Sequence, residues 1–116
     1  MNLPMSKSRR AGGLVFLSGE LPFLPGMRVP PGIAEQTALT LERISTTLAE
    51  CGLTLSDVVQ VTVHLTRPEH FTEFNRSYQQ HMPEPYPVRT TVIAALVVPE
   101  AAIEITVVAA ERDAGR

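Results

Sequence analysis

Val58-Val59-Gln60-Val61-Thr62-Val63-His64-Leu65 is the stretch that decides how the rest of the chain must be arranged. Val59, Val61, Val63 and Leu65 alternate with Val58, Gln60, Thr62 and His64, the two-residue period of a β-strand. Directly after it, Thr66-Arg67-Pro68-Glu69 offers a capping-box pattern with proline just inside the first turn, which predicts a helix start. Phe71, Phe74, Tyr78 and Met82 mark the buried side of that helix. Pro83, Pro85 and Pro87 then forbid its continuation.

Working outward, the upstream side holds a second helix. Ala34, Thr37, Ala38, Leu41, Ile44, Ser45 and Leu48 recur at helical spacing, with Glu35, Glu42, Arg43 and Glu50 elsewhere on the surface. The spacing predicts a helix from about Ile33 to Cys51, closed by Gly52 in the left-handed conformation. Earlier still, Leu14-Val15-Phe16-Leu17-Ser18 is an apolar run between Gly12-Gly13 and Gly19, which reads as a strand between turns. Pro22 to Gly32 is a loop shaped by proline and glycine.

Downstream come two more predicted strands, Thr90 to Val98 and Ile103 to Ala110. In the first, Val92, Ala94, Leu96 and Val98 would line one face, and Ile93, Ala95 and Val97 the other. Two helices in so short a chain cover one face of a sheet, not both. The second apolar face needs another partner, and an identical subunit is the simplest one. The element order predicts an α+β sandwich with two helices on one face of a mixed sheet.

Composition narrows the function. The 116 residues fit a single domain, 1–116, and 44% hydrophobic content is enough for a packed interior. Ten Lys+Arg against twelve Asp+Glu give a formal charge of −2, which offers no broad basic surface to a phosphate backbone. Nucleic acid is therefore not an expected partner. Lys7, Arg9 and Arg10 read as a solvated tail. The sole cysteine, Cys51, excludes an intramolecular disulfide and a cysteine metal cluster, and its position suits a small buried thiol. No basic segment followed by an apolar run opens the chain, and no stretch approaches a membrane span, so a cytoplasmic protein is expected.

Two residues stand out as carriers of chemistry. Arg89 follows Pro87 and opens an apolar strand, where a side chain is held firmly yet reaches solvent. Its guanidinium presents a planar fork that matches a carboxylate with two parallel hydrogen bonds. The plain alternative is a strand-end arginine in a surface ion pair. Glu104 interrupts an otherwise apolar strand, and a carboxylate so placed needs a partner and suits the handling of a proton. Its plain alternative is an edge charge that discourages aggregation. His64, His70 and His81 have no metal-ligand spacing. Ser18-Gly19 lies in no G-x-S-x-G elbow, and the glycines form neither a dinucleotide nor a P-loop signature.

Six segments in order resemble the Rid/YjgF family of reactive intermediate deaminases. These are Leu14 through Pro22; Gln36-Thr37 through Cys51-Gly52-Leu53; Asp57-Val58-Val59 through Leu65; Phe71, Phe74-Asn75 and Tyr78; Pro87-Val88-Arg89-Thr90; and Ile103-Glu104-Ile105 with Val108-Ala109. The resemblance implies a chorismate-mutase-like fold assembled as a homotrimer, with sites in clefts between subunits. It also implies hydrolysis of reactive 2-imino acids to 2-oxo acids and ammonia, with no cofactor or metal.

Carried over position by position, Arg89 matches the arginine that clamps the substrate carboxylate. Glu104 matches the glutamate that positions or activates water. Ser18 and Gly19 match residues lining the pocket near the imine. Thr91 stands where a backbone group touches substrate, and Asn75 where a helix residue supports the cleft. Three positions depart from the pattern: Met5 replaces an aromatic ring over the site, Glu20 a glutamine, and Arg43 an asparagine. Two other readings stand beside the deaminase: a non-catalytic trimer that binds a small carboxylate metabolite, and a pathway-specific relative with a different substrate.

Overall fold

The alternating stretch Val58–Leu65 lies inside a five-stranded sheet. In the computed structural model, which describes residues 3–112, the chain runs β1 (Ser8–Ala11), β2 (Leu14–Leu17), α1 (Ile33–Glu50), β3 (Val58–Leu65), α2 (Phe71–His81), β4 (Val88–Ile93) and β5 (Ile103–Ala110). The strands are ordered β1-β2-β5-β3-β4. Only β3 and β4 run parallel, joined by α2 as their crossover; the other neighbours are antiparallel.

Both helices cover one face. Val61, Val63 and Leu65 of β3 and Ile103, Ile105 and Val107 of β5 are buried in one cluster with Leu41, Ile44, Leu48 and Phe74. Each such side chain contributes about 1.5–3 kcal/mol when taken from water. The opposite face is open, and Phe16, Val88 and Val92 are exposed on it. This is the α+β arrangement that the patterning predicts; the second face, however, is mixed, with Thr62, Thr90, Thr106, His64 and Glu104 beside its apolar residues, because the run from Ala94 to Val98 lies beyond β4.

Helix α1 ends as its sequence predicts. Gly52 adopts φ 76°, Gly52 N–H donates to Ala49 O at 3.0 Å, and Leu53 N–H donates to Leu48 O at 2.9 Å. These two bonds form a Schellman closure. Other expectations need correction. No side-chain cap is present at Arg67 or His70; a 3-10 turn over Pro68–His70 leads into α2 instead. Thr66 keeps its backbone in extended pairing, its N–H donating to Ala102 O at 3.0 Å.

The strand predicted from Thr90 to Val98 spans Val88–Ile93, because its partner β3 ends at Leu65, opposite Ile93. Arg9 and Arg10 are not a tail. They lie in β1, folded onto β2 through Gly12–Gly13, where Arg10 pairs with Glu111. Cys51 is half-buried, and Phe71 is exposed.

The long connections are pinned by one buried amide. Gln36 is 4% exposed. Its Nε2 donates to Pro30 O at 2.9 Å and to Glu100 O at 3.3 Å, while its Oε1 accepts from Ala102 N–H at 2.7 Å. Gln36→Ala strands three backbone groups at once, and each lost bond or unmet group costs about 1 kcal/mol or more. Equilibrium urea unfolding of Gln36→Ala is expected to show a loss of about 2–3 kcal/mol with an unchanged m-value.

Candidate functional site

Arg89 lies in register with buried Val61, so its side chain is on the helix-covered side of the sheet. There it meets α2. Its Cζ is 4.9 Å from the Tyr78 ring centroid, 5.1 Å from that of Phe74 and 5.9 Å from that of Phe71. Residues 71, 74 and 78 share a helix face at spacings of three and four, which is what brings three rings under one cation. A flat, weakly hydrated guanidinium rests on ring faces at a gain of about 0.5–2 kcal/mol per contact. None of the ion pairs or side-chain hydrogen bonds among the described residues uses Arg89. Its fork is thus oriented and unoccupied.

The guanidinium opens onto a cleft of about 420 Å³ lined by Asn75, Tyr78, Gln79, Tyr86, Pro87 and Arg89. Asn75 and Arg89, both identified from sequence, are brought together here. Thr91 shares the Arg89 face two residues on, half-buried, on the strand that forms the sheet edge. Tyr78, Gln79 and Tyr86 were not identified as site residues. The one sequence signal was the spacing of Tyr78 from Phe74, which reads equally well as plain core.

A second group forms on the other side of the sheet. Glu104 alternates with buried Ile103 and Ile105, so its carboxylate projects onto the open face. It lies against Gly19: a Cβ at that position would stand 2.6 Å from Glu104 Oε2 and 3.1 Å from Thr106 Oγ1. A side chain there would have to push the Glu104 carboxylate aside. Ser18 Oγ donates to Ser6 O at 2.6 Å, and Ser18 N–H donates to Lys7 O at 3.1 Å. These bonds tether the amino-terminal segment, so that Met5 and Ser18 line a shallow cleft of about 380 Å³. Met5 itself is 55% exposed. The expected residues thus form two candidate half-sites: Arg89, Asn75 and Thr91 on the helix-covered side, and Glu104 with Gly19 on the open side, next along the chain from Ser18, which shares its shallow cleft with Met5. Among the described residues, no three of His, Cys, Asp and Glu gather to hold a metal ion.

With the geometry in place, comparison with known proteins identifies the kind of molecule. The chain belongs to the YjgF/RidA family, whose model, described as Endoribonuclease L-PSP, matches residues 3–111. The mitochondrial protein mmf2 of Schizosaccharomyces pombe is 37% identical over 94 residues, 81% of this chain and 75% of mmf2. NMB1025 of Neisseria meningitidis, a member of the YjgF protein family, superposes with a TM-score of 0.88 at 34% identity, covering 97% of this chain and 92% of its own. Escherichia coli TdcF, solved with bound serine, superposes with a TM-score of 0.87 at 27% identity, covering 97% and 91%. TdcF is provisionally named a reactive intermediate deaminase. Since mmf2 is mitochondrial by name, family membership does not imply the cytoplasm. Among the described residues no helix is long and apolar enough to cross a membrane.

Tyr78 supplies a test of the Arg89 bed. It is 5% exposed and its hydroxyl has no hydrogen-bond partner among the described residues. Burial pushes the hydroxyl above its ordinary value, Arg89 pulls it down, and Tyr86 adds to the rise. The folded chain therefore keeps a proton that the unfolded chain releases above pH ~10, so stability falls as pH rises past that point. In Tyr78→Phe that alkaline fall is expected to shrink. At neutral pH the variant should match the parent or exceed it by up to about 1 kcal/mol, since an unmet buried hydroxyl is removed. Thermal unfolding at neutral and alkaline pH reads both effects.

Proposed function

We propose that the chain acts as one Rid-like domain, 1–116, assembled as a homotrimer that hydrolyses small 2-imino acids to 2-oxo acids and ammonia in clefts between subunits. The observation that carries this reading is the Arg89 fork, held on three aromatic rings at a cleft and paired with no carboxylate among the described residues. A small carboxylate is the chemistry that fits such a fork. The serine bound in TdcF, a relative of the same fold, supports a ligand of that class.

The reaction needs little beyond position and one base. Arg89 binds the substrate carboxylate and fixes the adjacent C=N bond. Glu104 takes a proton from water as its oxygen bonds to the imine carbon, giving a carbinolamine. Glu104 returns that proton to the imine nitrogen, which becomes the amine of the carbinolamine. It then takes the hydroxyl proton and delivers it to the amine as the C–N bond breaks and the C=O bond forms, so that ammonia leaves and the 2-oxo acid remains. Asn75 lines the Arg89 cleft, Thr91 offers edge-strand backbone, and Ser18 and Gly19 shape the Glu104 side. No bound group is asked to supply chemistry. Since Arg89 and Glu104 lie on opposite faces of one sheet, the proposed site takes one from each of two subunits. The exposed Phe16, Val88 and Val92 give those subunits an apolar face to share.

A second reading, a trimer that binds a small carboxylate without turning it over, is favoured by one observation. Met5, exposed beside Ser18, provides no aromatic ring over that half-site. The endoribonuclease in the family's description finds no matching basic surface in a chain of charge −2.

Hydrolysis of 2-iminopropanoate or 2-iminobutanoate generated in situ tests the proposal. Arg89→Ala is expected to lower kcat/KM by about a hundredfold or more, with Arg89→Lys between it and the parent. Unchanged hydrolysis in Arg89→Ala removes the mechanism. If instead the parent is inactive, yet a 2-oxo acid raises its Tm and Arg89→Ala abolishes that rise, the binding reading holds. A mixed assembly of Arg89→Ala and Glu104→Gln chains tests the shared cleft. Each variant alone should be nearly inactive, and equal mixing should restore about a quarter of parental activity, the share of clefts with both residues intact.

A further inference from the structure

The open face of the sheet carries a group that the proposed reaction leaves unused. Thr90, Thr62 and Thr106 stand in register across β4, β3 and β5, and in the next row stand Val92, His64 and Glu104. His64 Nδ1 is enclosed and has no hydrogen-bond partner among the described residues. Glu104, directly across the ladder, takes part in none of the side-chain hydrogen bonds or ion pairs among those residues. The enclosed His64 Nδ1 and the half-exposed Glu104 carboxylate, each without a side-chain partner among the described residues, are thus cross-strand neighbours. Such neighbours start with Cβ atoms about 5 Å apart, within reach of a hydrogen bond after a side-chain rotation.

Among the described residues, the other charged groups lie away from His64, and the nearest polar row on its face holds the hydroxyls of Thr90, Thr62 and Thr106. Val92 on its other side is apolar. Arg89 of β4 projects to the helix-covered side. Glu20 is held on that same side by Arg43, with Nε to Oε1 at 2.7 Å. Arg9 shares the open face but lies in the row of Phe16 and Val108, two rows from Glu104. Arg67 and Glu100, in the connections beyond β3 and β4, are exposed to solvent.

We infer that His64 is a positioning residue for Glu104, its Nδ1–H donating to the carboxylate and fixing which oxygen faces the water. This rests on the reading of Glu104 as the water-handling group. Held by the ring through one oxygen, the carboxylate keeps the other for the proton it must accept, over the space that Gly19 leaves open. Without the ring, Glu104 is free to rotate among several orientations, and only one of them serves.

Nitrogen-15 spectra of the assembled protein, at a pH where the His64 ring is neutral, test the pairing without any assay of turnover. The parent is expected to carry the ring proton on Nδ1, and Glu104→Ala to return it to the Nε2–H form that an unconstrained histidine side chain prefers. A tautomer indifferent to Glu104→Ala overturns the inference. In turnover, His64→Phe should lower kcat about tenfold or more with KM little changed. His64→Gln, which keeps a donor at similar reach, should recover most of that loss. Equal losses in the two variants would assign the ring to packing and overturn the inference as well. If the tautomer follows Glu104 while the parent hydrolyses no imine, the pairing stands and the proposed reaction falls.

Discussion

A β-strand turns successive side chains to opposite faces, and this alternation governs on which side of the sheet Arg89 and Glu104 lie. Arg89 is in register with Val61, and Glu104 with His64, so fork and carboxylate sit on opposite sides of one sheet. No side-chain rotation carries a residue through a sheet. Only a slip of register by one residue would exchange the faces. In β5, which carries Glu104, the buried Ile103, Ile105 and Val107 forbid it, because the slip would send all three to the open face. The core thus does more than stabilise the fold. It fixes the separation of two groups that the proposed chemistry needs together, and so makes that chemistry a property of an assembly.

The bed under Arg89 follows a related logic. An arginine already paired with a carboxylate of its own chain is oriented, but its donors are spent. Ring faces orient the guanidinium through its plane and leave the fork at its edge free. The arrangement is asymmetric: Phe74 and Tyr78 are buried beneath the cation, while Phe71 is exposed at its margin. Ring stacking also makes a lysine a poor substitute, since a point charge on a flexible stem gains neither the stack nor the fork.

Much of this was legible in the sequence where the determinants are local. The helix from Ile33 with its closure at Gly52, β3, and β5 from Ile103 to Ala110 are written in periodicity and one glycine. What could not be read depends on a partner. The apolar run from Ala94 to Val98 looks like more strand, but β4 ends where β3 ends, at the level of Leu65, and the run itself does not encode that length. Arg9 and Arg10 lack a strand pattern, yet they pair because Gly12–Gly13 returns the chain beside β2. Thr66-Arg67-Pro68-Glu69 has the composition of a cap, but the Thr66 N–H is already engaged with Ala102 in the sheet. The candidate site residues were readable as single positions, Arg89 and Glu104 from their strand context and the others from resemblance. Their division into two half-sites was not, because facing is relative to a sheet that only the folded chain contains. Tyr78 escaped for the same reason: one ring serves both as core and as support for Arg89.

Two departures from the family pattern, noted separately in the sequence, prove to be one interaction. Arg43 stands where the pattern has an asparagine and Glu20 where it has a glutamine, and in space Arg43 Nε meets Glu20 Oε1 at 2.7 Å. Arg43 Nη1 also donates to Phe23 O at 3.1 Å, with the guanidinium 5.9 Å from the Phe23 ring centroid. The Glu20 backbone bonds both ways with Ile105, at 2.8 and 3.1 Å. Either charge introduced alone would sit partly desolvated and unmatched, which is costly; introduced together they satisfy each other. The pair ties the segment just after Gly19 to both α1 and β5. The backbone beside Glu104 is therefore held from two sides, by the Ser18 tether to Ser6 and by this ion pair, so a changed amino-terminal segment at Met5 does not by itself loosen the glycine against which the carboxylate rests.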